Sequence, residues 1–363
     1  MRRHPPLRVV ILDLAVLLST MFFSTGAAAW SSAGRPPVDL KANQLLLVRG
    51  AYIAAIASSG PYLVWETGSS KRHPLSALME RDQRTGRMRR LARSTLPAFG
   101  IGTTAQWVVY ATEAASRIDL VAVRHDGSKR FALTHSLAAP VTSRGDRIAW
   151  AEQDDDVQRV VVREMAAGRQ WTAWQLGRCR HNRCYRIDAV TLADEGVAFD
   201  RGAIGMQPSI VVRRRFDQPR PSLFEVAHDP QPDLATSSAG VLFYWLGHGW
   251  MRWDFARKRP EPTNVKGSNW VLADEHDRLL LRGGSRCNPR LIVQLPRERS
   301  FVIRAPASTS ASPKGFGPLC RLLTGVTWQG SRLLAAWYVI PKLSLQAHAD
   351  VGLVGVIMAT HIP

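Results

Sequence analysis

An all-β fold of repeated four-stranded units is what this 363-residue sequence predicts, and three observations lead there. A short apolar run ending in a bulky residue recurs seven times along the chain, at intervals of about 45 residues. Each copy is followed by a second strand-like run, a Gly- or Pro-rich turn and, in most units, a third run, and it is preceded by one more. The last unit stops short of its fourth strand, while "NQLLLVR" (43–49) precedes the first unit as an orphan. Four antiparallel strands at this period are the signature of a β-propeller blade. The expectation is therefore a seven-bladed β-propeller spanning 43–363, its ring closed by the N-terminal strand pairing with the last blade. Six blades plus an irregular segment is the alternative, because "HDRLLLR" is the poorest copy.

Taken in order, residues 1–29 read as a secretory signal peptide. Arg2, Arg3 and Arg8 precede an apolar stretch from Val9 to Phe23, and Ala27, Ala28 and Ala29 offer a small-residue cleavage site ahead of Trp30. Roughly 20 apolar residues are needed to span a bilayer, so this stretch is short for that role, and an uncleaved N-terminal anchor is the alternative. Residues 30–42 read as a short linker. The repeated phrase then appears as "GPYLVWE" ending at Trp65, "AQWVVYA" at Tyr110, "GDRIAWA" at Trp150 and "DEGVAFD" at Phe199. It returns as "AGVLFYW" at Trp245, "HDRLLLR" at Leu281 and "GSRLLAAWY" at Trp337. A blade buries its faces only against its neighbours, so these bulky residues are expected to fill the contacts between blades. Second runs such as "DLVAVRHDG", "QRVVVREM" and "RLIVQLP" follow, and third runs such as "KRFALT" and "SFVIR" close the units.

The string from Ser143 to Trp150, S-x-x-G-x-x-I-A-W, with "VVVREMAAG" after it, resembles the repeats of TolB-like and related WD-like propellers. The resemblance covers 43–363 and concerns architecture. It implies a propeller scaffold with its binding face made by the loops between second and third strands and those leading into the next unit.

That face would gather "TGSSKRHP" with His73, "EQDDD" with Asp154, Asp155 and Asp156, and "GRCRHNRC" with Arg178, Arg180, His181 and Arg183. It would also hold "GGSRCNP" and the insertion at 305–319, and His248 is a further candidate contact. Carboxylates such as the three aspartates suit calcium, but the D-x-[DN]-x-[DN]-G loop is absent and the tip reads as a solvated turn. No resident cofactor or metal is expected. Arginines around His181 suit a carboxylate or phosphate, or simply form a basic surface loop.

Cys179, Cys184, Cys287 and Cys320 allow three disulfide connectivities. Placing Cys287 and Cys320 on one face favours pairing Cys179 with Cys184 and Cys287 with Cys320, each bond pinning a loop. Formal charge is +19, and seven Lys among 48 basic residues leave an Arg excess scattered along the chain. A general affinity for anions follows from that charge, but not a specific nucleic-acid site. The nucleophile elbow, the H-E-x-x-H zinc motif and the phosphate-binding Gly-Lys-Ser/Thr loop are all missing. The expectation is a monomeric, exported binding module, secreted or held in the cell envelope, whose partner is a protein or an anionic envelope polymer. The alternative is an extracytoplasmic lyase or glycoside hydrolase working from the axial funnel.

Overall fold

The computed structural model describes residues 38–49, 51–68, 76–154, 157–177, 179–180, 183–194, 196–203, 209–215, 222–227, 234–236, 240–245, 249–254, 260–262, 271–273, 279–285, 287–294, 300–306, 319–341 and 354–362. Among them the chain is almost entirely strand, with a single helical turn at Pro97–Phe99. The strands form seven sheets in chain order.

The first sheet comprises Ile53–Ser59, Tyr62–Thr67, Ala77–Asp82 and Met88–Arg93. Ile101–Thr103, Trp107–Ala114, Arg117–Arg124 and Arg130–Thr134 make the second; Thr142–Arg144, Arg147–Asp154, Val157–Glu164 and Gln170–Gly177 make the third. Cys179–Arg180 and Arg183–Leu192 open the fourth, which continues through Gly196–Ala203, Ser209–Arg214 and Ser222–Ala227. The fifth holds Leu234–Thr236, Gly240–Trp245, Gly249–Asp254 and Glu261–Pro262. In every sheet, consecutive strands are antiparallel, as short turn-linked runs require. Gly145, between the first two strands of the third sheet, shows why its turn needs glycine. Its φ is +58°, and a Cβ there would meet nothing, so the constraint is the left-handed backbone alone.

The two remaining sheets take up the N-terminal segment. Val271–Ala273, Leu279–Ser285, Asn288–Gln294 and Ser300–Arg304 form the sixth sheet, and Leu319–Gln329, Arg332–Pro341 and Val354–His361 supply three strands of the seventh. Asn43–Arg49 completes the seventh, antiparallel to Val354–His361, with Leu47 opposite Val356 and Arg49 opposite Val354. Val38–Leu40, inside the segment read as a linker, adds a fifth strand to the sixth sheet. It runs parallel to Ser300–Arg304, with Val38 opposite Phe301 and Leu40 opposite Ile303. The weak copy "HDRLLLR" supplies the sixth sheet's second strand, so its low aromatic content did not cost it its place.

In five second strands whose side chains are described, alternation sends the bulky residue towards the preceding sheet, which for the first sheet is the seventh. Tyr110 packs with Val64 and Leu78 of the first sheet, and Trp150 with Val109 and Leu120 of the second. Phe199 joins Val160 and Val162 of the third, and Trp337 joins Leu280, Leu291 and Val293 of the sixth. Trp65 reaches Leu334, Ala336 and Ile357 of the seventh. These residues are essentially fully buried, and truncating such an aromatic to alanine costs about 3–5 kcal/mol. The first strands also touch in sequence: Leu319–Gln329 lies against Ile53–Ser59, which meets Ile101–Thr103, which meets Thr142–Arg144. The series continues through Arg183–Leu192, Leu234–Thr236 and Val271–Ala273, and Asn288–Gln294 meets Leu319–Gln329.

Candidate functional site

The described residues place the predicted contacts unevenly. Asp154 ends its strand, exposed, opposite Val157. Arg180 and Arg183 face each other across the hairpin that also sets Cys179 opposite Cys184, although the side chains of these four lie outside the described residues. His73, Asp155, Asp156, Arg178, His181 and His248 lie outside them altogether. Among the described residues no three His, Cys, Asp or Glu side chains converge as a metal site would require, and no helix is long and apolar enough to cross a membrane.

Among the described residues, a half-open concavity lies where the sixth sheet meets the seventh. A cavity of about 510 Å³ is lined by Gly284, Ser285, Asn288, Arg290, Arg304 and Arg321, among others. Its wall is pinned by a disulfide between Cys287, in the sixth-sheet hairpin, and Cys320, buried in the seventh sheet's first strand. The bond closes a 33-residue separation with a Cα–Cα distance of 4.3 Å. The Arg321 backbone N–H donates to the Cys287 carbonyl at 3.0 Å beside it. A loop of this length gives a constraint of roughly 3–4 kcal/mol against the unfolded chain. Gly284 sets the hairpin's tight path. Its φ is +86°, and a Cβ would stand 2.5 Å from the Asn288 carbonyl oxygen.

Three guanidinium groups border this space, and they are held differently. Arg304 forms a two-pronged pair with Asp39 of the parallel N-terminal strand, with Nε–Oδ1 at 3.2 Å and Nη2–Oδ2 at 3.0 Å. Arg321 donates from Nε to the Pro306 carbonyl at 2.6 Å. Arg290 sits directly opposite Arg304 in the strand pairing and is exposed.

A second concentration of charge is buried between the first and second sheets, and sequence reasoning missed it. Glu80 is 1% exposed and accepts from Arg89 Nε at 2.7 Å, while its other oxygen pairs with His125 Nδ1. The opposite ring nitrogen of His125 faces the Thr104 carbonyl at 2.9 Å, and Tyr62 stacks on the ring with centroids 4.0 Å apart. Both ring nitrogens are thus engaged within the joint. Nearer the other end of the interface, Glu66 is fully buried and neither carboxylate oxygen finds a hydrogen-bond partner among the described residues. Burial pushes its pKa up to about 7, and the neighbouring Thr95 side chain opposes this only in part. Burial likewise raises the Tyr110 phenol; the charge of Arg130 opposes the rise and that of Glu66 adds to it. The sequence did hold a signal. Glu66 and Glu80 occur at strand positions whose parity, shared with Val64 and Leu78, faces inward.

No protein-family model matches the chain, and no curated protein does. Solved structures do. The β-propeller domain of the Trilobed protease from Pyrococcus furiosus is similar over 80% of this chain and 92% of its own, with a TM-score of 0.54 and 5% identity. The fold is of the propeller type. U3-55K is similar over 90% of this chain and all of its own, with a TM-score of 0.52 and 12% identity. Oligogalacturonate lyase in complex with manganese is similar over 90% of this chain and 97% of its own, with a TM-score of 0.54 and 11% identity. At these identities the likeness concerns the fold alone, and chemistry has to be argued from the residues.

Proposed function

We propose that this chain is an exported, seven-bladed propeller whose ring is closed by Asn43–Arg49, and that it acts as a binding module for a protein or an anionic polymer of the cell envelope. From the seventh sheet through to the sixth, successive first strands touch, Asn288–Gln294 of the sixth meets Leu319–Gln329 of the seventh, and the N-terminal strand pairs with the last sheet, which supports the ring. The segment order of residues 1–29 and the Cys287–Cys320 disulfide support an oxidising destination. The observation that carries the binding role is the disulfide-pinned basic cavity between the sixth and seventh sheets. Its walls are strand ends and a covalently held hairpin, so its donors are in place before a ligand arrives.

Capture from envelope extracts with the full chain, at low and high salt, tests this reading. A partner retained at low salt and weakened in high salt is the expected result, because exposed charges are screened. Failure to retain any partner under either condition overturns it. N-terminal sequencing of secreted protein should begin at or near Trp30, and an intact Met1 would remove the export step.

The lyase alternative gains support from one point, the likeness in fold to oligogalacturonate lyase over nearly all of that protein. Incubating the chain with oligogalacturonate and following product release separates the two readings, since a binding module retains the polymer without cleaving it.

A further inference from the structure

The wall of the sixth-sheet cavity poses an electrostatic problem. Arg290 and Arg304 are directly opposed across neighbouring antiparallel strands, so their side chains leave the same face of the sheet. Like charges in that relation destabilise a sheet. Arg321 adds a third cation from the adjoining strand. Asp39 is committed to Arg304 through both of its oxygens. The Arg290 side chain has no hydrogen-bond or ion-pair partner among the described residues, although its backbone is paired in the sheet. Ser285 and Asn288 supply neutral polar groups on the same wall.

Resting on the binding-module reading, we propose that this cavity is an anion site for a carboxylate-bearing ligand, with Arg290 making the principal contact. The planar fork of a guanidinium matches a carboxylate's two oxygens, and charge-assisted pairs of this kind are stronger than neutral ones. A volume near 510 Å³ lies within the range of small-ligand pockets, enough for one or two sugar-acid or amino-acid units. Arg321, tethered to Pro306, and Ser285 and Asn288 complete the wall. Asp39 has a distinct part. Its carboxylate occupies the fork of Arg304 and so competes with an incoming anion for that cation, which makes the N-terminal strand a built-in limit on affinity.

Titration calorimetry on the full chain at low salt, using digalacturonate, a dipeptide with a free C-terminus, the same dipeptide amidated, and inorganic phosphate, tests the inference. Saturable binding of a carboxylate probe is expected, and the probe that binds identifies the source of the carboxylate. Arg290→Gln should weaken that binding about tenfold or more, and Arg290→Lys should recover only part of it. Asp39→Asn should tighten it severalfold by freeing Arg304, a gain that misfolding cannot mimic. The inference is overturned if no carboxylate probe saturates, if only phosphate binds, or if Arg290→Gln leaves affinity unchanged. Should Arg290→Gln still capture its envelope partner at wild-type level, the cavity assignment falls while the binding-module reading stands. Absence of any partner with saturable, Arg290-dependent probe binding gives the reverse.

Discussion

The joint between the first and second sheets and the joint between the sixth and seventh solve the same packing problem by different means. In the former, apolar side chains of both sheets meet around Tyr110, and ionisable groups are buried with them: Glu80, paired with buried His125 and partly exposed Arg89, and Glu66, without a hydrogen-bond partner among the described residues. In the latter, Trp337 and its neighbours form an apolar centre, but the cationic groups stay at the rim around an open cavity. A disulfide and the N-terminal strand Val38–Leu40 hold that rim. A buried charge network favours one arrangement by leaving unpaired charge in any other. A rim held covalently can leave its cations facing solvent, available to a ligand. The comparison teaches that this molecule buries charge in one joint and, in another, leaves it exposed at a rim pinned by a disulfide.

The largest effect should come from breaking the buried network. Glu80→Gln leaves His125 without its carboxylate in a buried site, and chemical denaturation should show a loss of about 3–5 kcal/mol. A loss below about 1 kcal/mol would mean that the first joint is held by apolar packing alone. Removing the Cys287–Cys320 bond by double substitution to alanine should cost roughly 3–4 kcal/mol, read as a lower denaturation midpoint against wild type under non-reducing conditions. An unchanged midpoint would remove the covalent half of the comparison.

Glu66 gives a test that depends on pH. Its folded-state pKa stands near 7 against an ordinary value of 4.5. The unfolded chain therefore ionises first as pH rises, and stability is full below about 4.5 and lost through about 7. The loss across that window is on the order of 3 kcal/mol. Glu66→Gln should flatten the dependence, raising the denaturation midpoint at pH 8 and leaving it nearly unchanged at pH 4. A parallel pH profile in both proteins would show that Glu66 is already satisfied in the folded state. Asp39→Asn should have the smallest effect on folding. Both partners of its pair are more than half exposed, so the melting temperature should correspond to a change under about 1 kcal/mol.

Much of this was legible in the primary structure because it depends on local pattern. The alternation in "DRIAWA" and its relatives identifies second strands, and the orphan "NQLLLVR" matches a last unit lacking a fourth strand. The pairing of Cys287 with Cys320 followed from assigning both to one end of neighbouring units. Other features left only faint traces. Val38–Leu40 is too short to signal a strand alone, and its parallel pairing depends on Ser300–Arg304 presenting a free edge. His125 follows a strand and reads as turn chemistry in "HDGS", yet it closes a network with Glu80, 45 residues away in the chain. The cavity arginines sit in ordinary strand text, since their opposition depends on register between strands rather than on residue spacing.

Sequence by itself determined most of the strands and their turns, because period-two alternation and glycine conformation act over a few residues. Only the tertiary structure decided which charges are interred and which remain open. Desolvation and ion pairing depend on the sheet that lands opposite. Glu66 has its raised pKa because the second sheet covers it, and Arg290 stays exposed because the sixth and seventh sheets meet around a cavity.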